Sequence, residues 1–271
     1  MIWRSVLFLA LAGSISAAVC AQERTLTLAS TTSTEQSGFF AYVLPLFQAE
    51  TGIRVNVVAV GTGQALKIGE RGDADALLVH DPVGEESFIA AGHGIDPRPV
   101  MFNDFIIVGP ASDRARIRGS RSAEEAFREI ADAKAPFVSR GDDSGTHRME
   151  LRQWKASGVE PHGEWYRETG QGMGPTLNIA AELNAYVLTD RATWANFKNP
   201  GGLEVSLQHD PSLFNPYSSI LIDPSKSPTI RAVEAKAWHE WITGSAGRKA
   251  IEGFKIEGEQ VFFLPDVKLS N

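Results

Sequence analysis

Cysteine is nearly absent from the chain: of its 271 residues, only Cys20 carries a thiol. Cys20 lies in an N-terminal segment with the pattern of a secretory signal, in which Arg4 precedes a short apolar stretch (6–18) and Ala21 precedes a polar flank. We expect cleavage after Ala21, so that residues 1–21 are removed. A lipid anchor at Cys20 is the alternative. Cleavage leaves a chain without disulfides or thiolate metal ligands.

Long apolar runs and excess positive charge are missing as well. The N-terminal apolar stretch is too short to span a bilayer, and no later segment is long and apolar enough. Lysine and arginine number 26 against 33 aspartates and glutamates, for a net charge of −7. An acidic chain argues against nucleic acid or an anionic membrane as a partner. We therefore expect an exported protein of the bacterial periplasm, without stable membrane insertion.

Signatures of catalysis and of metal binding are also absent. The stretch DDSGTH (142–147) combines serine, histidine and aspartate, but it lacks the flanking glycines of a nucleophile elbow. The six histidines show no metal-ligand spacing, and GTG (61–63) is not a Walker loop. The carboxylates and histidine of GDADALLVHDP (72–82) are explained more simply by a turn, a buried strand and a second turn. We expect neither an enzyme nor a cofactor.

What the sequence does contain is an alternation of short apolar runs with amphipathic helical patterns, which predicts an α/β architecture. Two apolar strands, NDFIIVGP (103–110) and NPYSSILIDP (215–224), share their length and their flanking turn residues. A chain that leaves one lobe along the first strand and returns along the second forms two lobes joined by two crossings. The predicted lobes are residues 22–104 with 217–271, and residues 105–216.

Hydroxyl side chains crowd the predicted strand-to-helix junctions. In STTSTEQSG (30–38), Ser33 and Gln36 have capping-box spacing, which predicts a helix that starts near Thr34. The first N–H groups of a helix lack internal partners, and the helix dipole favours an anion there. Similar junctions are predicted at SRGDDSGTHR (139–148), at VGTGQALK (60–67) and, more weakly, at GMGPTLN (172–178), where Pro175 is placed at the first helical position.

The second junction adds a cation. Arg140 lies between a predicted strand and a helix that starts near Ser144, and its planar guanidinium can grip two oxygens of one anion. The alternative role for Arg140 is a surface ion pair with Asp142 or Asp143. We expect these two carboxylates to orient Arg140 or cap the helix, because a carboxylate facing the ligand would repel a fully ionised anion. Together the junctions predict a small tetrahedral oxyanion bound in a cleft.

These motifs resemble the tungstate-binding periplasmic component of bacterial ABC transporters. The resemblance spans essentially the whole mature chain and rests on LASTTSTEQSGFF, VGTGQALKIGERGDADALLVHDP, FNDFIIVGP, SRGDDSGTHRMEL, GMGPTLNIAAELNAYVLTDRATW and FFLPD. It implies a two-lobed periplasmic-binding-protein fold of type II, whose ligand cleft lies between lobes joined by two crossing strands. The family's run of three threonines and a serine falls on residues 30–33, where Ser30 replaces the first threonine and keeps its hydroxyl.

The resemblance also implies the site residues and the partners. Its anion-binding arginine and threonine fall on Arg140 and Thr146. The expected ligand-binding residues are Ser30, Thr31, Thr32, Ser33, Thr62, Arg140, Ser144 and Thr146. The expected ligand is tungstate first and molybdate second, delivered by a monomer to a membrane permease. The alternatives are a phosphate- or sulfate-binding protein, and a periplasmic sensor that hands its bound state to a membrane receptor.

Overall fold

The structure is a computed structural model that describes residues 23–266. The predicted signal segment and its cleavage site lie outside these residues. The strands are β1 (Arg24–Thr31), β2 (Ile53–Val60), β3 (Ala76–Val79), β4 (Gly94–Pro110), β5 (Phe137–Ser139), β6 (Tyr166–Glu168), β7 (Val187–Asp190), β8 (Leu203–Leu207), β9 (Phe214–Ile222), β10 (Lys255–Ile256) and β11 (Glu259–Gln260).

Helices lie between most of these strands, so the predicted α/β alternation is confirmed. They are α1 (Thr32–Gln36), α2 (Phe39–Thr51), α3 (Thr62–Glu70), α4 (Pro82–Ala90), α5 (Ala123–Asp132), α6 (Gly145–Ala156), α7 (Met173–Leu183), α8 (Arg191–Asn196), α9 (Ala232–Thr243) and α10 (Ser245–Gly253). Within residues 23–266, no helix has the length and apolar character needed to cross a membrane.

One mixed sheet runs through the molecule in the strand order β2-β1-β3-β9-β4-β7, with β8 also paired to β4. Strand β1 is parallel to β2 and β3, so the carboxyl ends of these strands meet at one edge. Strands β9 and β4 run antiparallel to each other, with Asn103 opposite Asn215 and Asp104 opposite Phe214. The two strands predicted as crossings therefore lie side by side.

The buried apolar side chains form separate cores on either side of this crossing. Two clusters draw on residues up to 102 and from 217 onward, with Ala192 as the one member from elsewhere. Two others draw only on residues between 105 and 213. We propose on this basis that the lobe boundaries fall where the sequence predicts, with lobe I comprising residues 22–104 and 217–271 and lobe II comprising residues 105–216.

Two helix starts differ from the sequence-based expectation. The cap of α1 is Thr31, which is extended (φ −108°) and whose hydroxyl accepts a bond from the N–H of Thr34 at 3.3 Å. Ser33 is therefore inside the helix, and Gln36 bonds to the N–H of Gly174 instead of closing a capping box. Helix α7 begins at Met173, two residues before Pro175. Helix α6 begins at Gly145 with Ser144 as its cap, so the predicted helix start near Ser144 is confirmed.

Candidate anion-binding site

The first turn of α1 follows directly from β1 and buries its hydroxyls. The side chain of Thr31 is 1% exposed, and its Oγ1 lies 3.1 Å from Nε2 of His80. Ser33 Oγ lies 3.2 Å from the same nitrogen. Ser30 points the other way and donates to the carbonyl of Leu78 at 2.5 Å. The structure therefore brings Thr31 and Ser33 to the end of the sheet, whereas the hydroxyl of Ser30 is committed to β3.

His80 was not among the sequence-predicted site residues. Its Nδ1 lies 2.9 Å from Oδ1 of Asn215, whose Nδ2 donates to Oδ1 of Asn103 at 2.6 Å. Since Asn215 presents an acceptor, Nδ1 carries the proton and Nε2 accepts from the hydroxyls of α1. Burial lowers the pKa of His80 to about 4, so the imidazole is neutral and adds no charge to the site.

Arg140 lies at the other side of the cleft, immediately after β5. Its side chain is 1% exposed. Arg140 does pair with Asp142, one of the two partners considered for a surface ion pair, but the pair is buried and not at the surface. Nη2 donates to Oγ1 of Thr32 at 3.2 Å and to Oδ2 of Asp142 at 2.5 Å. Within residues 23–266, the Nε and Nη1 atoms of Arg140 are buried and have no hydrogen-bond partner. Burial lowers the pKa of Arg140, and Asp142 opposes this effect.

The start of α6 supplies further donors. The other carboxylate oxygen of Asp142 accepts from the N–H of Ser144 at 3.2 Å, so Asp142 both orients Arg140 and holds the turn that leads into α6. Ser144 Oγ accepts from the N–H of His147 at 3.1 Å. Thr146 is fully buried, and its Oγ1 has no hydrogen-bond partner in the described part of the chain. Thr146 therefore offers a hydroxyl that the protein itself does not use.

Thr62 lies at the start of α3 and contacts lobe II directly. Its Oγ1 accepts from the N–H of Gly145 at 2.8 Å. The approach is close because Gly61 and Gly145 have no side chains: a Cβ on Gly145 would lie 3.0 Å from Oγ1 of Thr62 and 2.9 Å from Cε1 of His80. Thr62 therefore helps to join the two lobes, and its oxygen is already engaged as an acceptor.

The fourth and weaker junction also reaches the site. A Cβ on Gly172, the cap of α7, would lie 3.8 Å from Oγ1 of Thr32. The N–H of Gly174 donates to Oε1 of Gln36 at 3.0 Å, which ties the first turn of α7 to α1. Three helix starts, those of α1, α6 and α7, therefore surround Thr32 and Arg140. The dipoles of helices favour negative charge at their N-termini.

Asp81 joins the lobes at the rim of the cleft. Its carboxylate is buried and accepts from Nη1 of Arg148 at 2.8 Å and from Nη1 of Arg152 at 2.9 Å. Both arginines project from α6, whereas Asp81 precedes α4. Arg148 also pairs with Asp143 at 2.8 Å. We call Asp81, Arg148 and Arg152 the rim latch, because they bridge the lobes without touching Arg140.

The geometry of Ser144 and His147 does not suit nucleophilic catalysis. Ser144 Oγ is bonded to the backbone of His147, and Nδ1 of His147 accepts from the backbone N–H of Asp143 at 3.1 Å. Neither side chain activates the other, as a nucleophile and its base must. Among residues 23–266, no group of three or more histidines, cysteines, aspartates or glutamates has the geometry to hold a metal ion. The arrangement fits binding and not chemistry.

Two α/β lobes, two crossing strands and a cleft lined by helix starts define a solute-binding protein with the type II periplasmic-binding-protein fold. Residues 18–246 match the PBP superfamily domain. The tungstate-binding protein TupA of Peptoclostridium acidaminophilum is 46% identical over 226 residues, which are 83% of this chain and 79% of that protein.

Two solved structures are similar over most of this chain. The tungstate ABC transporter structure from Geobacter sulfurreducens has a TM-score of 0.79 at 45% identity, covering 86% of this chain and 99% of that chain. The tungstate-binding protein TupA from Desulfovibrio alaskensis G20 has a TM-score of 0.75 at 40% identity, covering 89% of this chain and 98% of that chain. The chain belongs to the PBP superfamily and, within it, to the TupA family of tungstate-binding proteins. This is a family of binding proteins, so the expectation of a non-enzyme is confirmed.

Proposed function

We propose that this protein captures a tetrahedral oxyanion, tungstate in preference to molybdate, and delivers it in the periplasm to the permease of an ABC transporter. The observation that carries the proposal is Arg140, a buried guanidinium beside three helix starts. Two of its nitrogens have no hydrogen-bond partner among the described residues 23–266. The tungstate-binding relatives and the tungstate transporter structure support the choice of ligand. We expect the protein to act as a monomer and without a cofactor.

Binding replaces the water shell of the anion by fixed donors. Nη2 of Arg140 is held by Thr32 and Asp142, so Nε and Nη1 remain to donate to the anion. Thr146 Oγ1 adds a neutral donor, and the N–H groups at the start of α1 and α6 add more. Charge-assisted bonds of this kind are the strong ones, and most of them are set in place before the anion arrives.

The lobes supply different parts of this set, which couples binding to closure. Thr31, Thr32 and Ser33 belong to lobe I, whereas Arg140 and Thr146 belong to lobe II. An anion that bridges them binds the closed arrangement more tightly than the open one and therefore shifts the population toward it. A closed, loaded protein then differs in shape from an empty one, which gives the permease a signal to recognise.

The experiment is calorimetric titration of residues 22–271 with tungstate, molybdate, sulfate and phosphate in turn. Tungstate should bind well ahead of sulfate and phosphate. Arg140→Ala should weaken tungstate binding by about 10²-fold or more, because two charge-assisted bonds are each worth roughly 1.5–3 kcal/mol. Arg121→Ala is the matched control, since the side chain of Arg121 is 90% exposed and pairs with Glu125, which is not a proposed site residue. Tighter binding of phosphate or sulfate than of tungstate would favour the alternative ligands. No detectable binding of any of the four anions would contradict an oxyanion site.

A further inference from the structure

Asp190 is a buried carboxylate beside the proposed site that the binding scheme above does not use. It ends β7 and caps α8, and its side chain is fully buried. Oδ1 accepts from the N–H of Thr193 at 2.9 Å and from Nδ2 of Asn103 at 3.4 Å. Oδ2 is also buried, and no hydrogen-bond partner for it exists within residues 23–266. Both donors therefore bond to Oδ1, and Oδ2 accepts no hydrogen bond from the described residues.

The surroundings of Asp190 give its charge little compensation. Arg140 is the cation that acts on it, but Arg140 forms its close ion pair with Asp142 and not with Asp190. Another titratable group that acts on Asp190 is the buried hydroxyl of Tyr217, which is neutral. Within residues 23–266, the hydrogen-bond partners of Asp190 are Asn103 and Thr193. Burial raises the pKa of Asp190, because an isolated charge in this environment loses its hydration.

Asp190 also lies close to the parts of both lobes that would hold the anion. Thr193, in the first turn of α8, donates from its hydroxyl to the carbonyl of Ser33 at 3.3 Å. This bond places the start of α8 against α1, while Arg140 acts on Asp190 from lobe II. An ionised carboxylate at this position would repel a dianion.

We propose that Asp190 binds the oxyanion as a neutral carboxylic acid, with its proton on Oδ2 and donated to an oxygen of the anion. This inference rests on the proposed function and deepens it. The two donors on Oδ1 direct the proton to Oδ2, which then becomes a donor like Arg140 and Thr146. The proton comes from solvent and stays on Asp190, so the anion itself is unchanged.

The neutral acid also sets specificity. With Oδ1 already accepting two bonds, the acid presents its Oδ2 hydroxyl to the anion as a donor. A fully ionised anion such as tungstate can accept from this hydroxyl. Hydrogen phosphate brings a proton of its own, and Asp190 would have to ionise to accept that proton. The site would then hold a buried carboxylate beside a dianion, and burial disfavours the ionised form. Asp190 is thus a specificity-determining residue that disfavours protonated anions.

The test is infrared difference spectroscopy of the tungstate-bound protein against Asp190→Asn. The bound unaltered protein should show a carboxylic-acid C=O band that disappears in Asp190→Asn and persists in Asp73→Asn, whose exposed carboxylate serves as control. If bound Asp190 is ionised, no acid band will depend on it, and the proposal is overturned. This readout does not depend on the pKa of the empty protein.

A second arm measures affinity. Asp190→Asn keeps the cap of α8 and a donor near the position of Oδ2, whereas Asp190→Ser keeps the cap and lacks that group. The serine variant should bind tungstate about tenfold or more weakly than the asparagine variant. Equal affinities would contradict the donor role. If the unaltered protein binds no oxyanion, both the proposed function and this inference fail. If it binds tungstate but shows no acid band that depends on Asp190, only this inference fails.

Discussion

Replacing Asp81 by asparagine should weaken oxyanion binding although Asp81 touches no proposed ligand group. The carboxylate is 1% exposed and holds Nη1 of Arg148 and Nη1 of Arg152 at 2.8 and 2.9 Å. Both arginines lie on lobe II, so the rim latch exists only when the lobes are together. Asp81→Asn removes the charge but keeps the shape and one acceptor oxygen.

The size of the effect follows from burial. A hydrogen bond to a charged group contributes roughly 1.5–3 kcal/mol when buried, and exposed ion pairs contribute about 1 kcal/mol or less. The side chains of Arg148 and Arg152 are 27% and 37% exposed, so water screens part of the interaction. We therefore expect a loss of about 1–2 kcal/mol from the closed state. Because the anion binds the closed state, its affinity should fall about 5- to 30-fold.

Calorimetry with tungstate measures this loss, and small-angle X-ray scattering of the unliganded protein should show a larger radius of gyration in Asp81→Asn. Asp73→Asn is the control: Asp73 pairs with Arg71 on the same lobe, with side chains 58% and 55% exposed, and does not bridge the lobes. The control should bind like the unaltered protein. Unchanged affinity in Asp81→Asn would refute the coupling between latch and site.

Two further predictions concern burial and close packing. Burial raises the pKa of Glu150 from 4.5 to about 7, so the folded protein holds a proton that the unfolded chain releases, and stability falls as pH rises from 4.5 to 7. Glu150→Gln keeps an acceptor for Trp154 and Tyr166. In denaturant unfolding it should stabilise the protein by about 3 kcal/mol above pH 7 and leave the stability unchanged below pH 4.5. A difference in stability that does not depend on pH would contradict this prediction. Gly145→Ala should weaken tungstate binding at least tenfold in calorimetry, because its Cβ would meet His80 and Thr62 at 2.9 and 3.0 Å. Gly119→Ala is the control and should bind tungstate normally, because a Cβ on Gly119 meets open space. Normal binding by Gly145→Ala would show that the lobes need not meet there.

Local patterns predicted much of the fold because strands and helices are specified by neighbouring residues. The helix predicted to start near Ser144 begins at Gly145. The cap of α1 was misplaced because several hydroxyls in a row satisfy the same pattern. Which of them caps the helix depends on where β1 ends, and pairing with β2 continues through Thr31 opposite Val60. Sequence spacing does not contain that information.

The candidate site was predictable only where a motif marks it. Arg140 and Thr32, 108 residues apart in the chain, were both predicted, and the structure joins them by a hydrogen bond. His80 and Asp190 were missed because His80 directly follows β3 and Asp190 ends β7, and both strands look like any other buried strand. Their neighbours come from sheet pairing: β7 is placed beside β4 with Asp190 opposite Phe105. A polar residue that closes an apolar strand is the one local signal that would have identified both.

The most direct measurement is an anomalous difference map from a crystal grown with tungstate, recorded at the tungsten absorption edge. The proposed site predicts one strong tungsten peak beside the guanidinium of Arg140. Through its oxygens, the anion should lie within hydrogen-bonding reach of Nε or Nη1 of Arg140 and of Oγ1 of Thr146. The peak should disappear in crystals of Arg140→Ala grown in the same way. A tungsten peak elsewhere on the protein, with these donors still unoccupied, would contradict the assignment of the site.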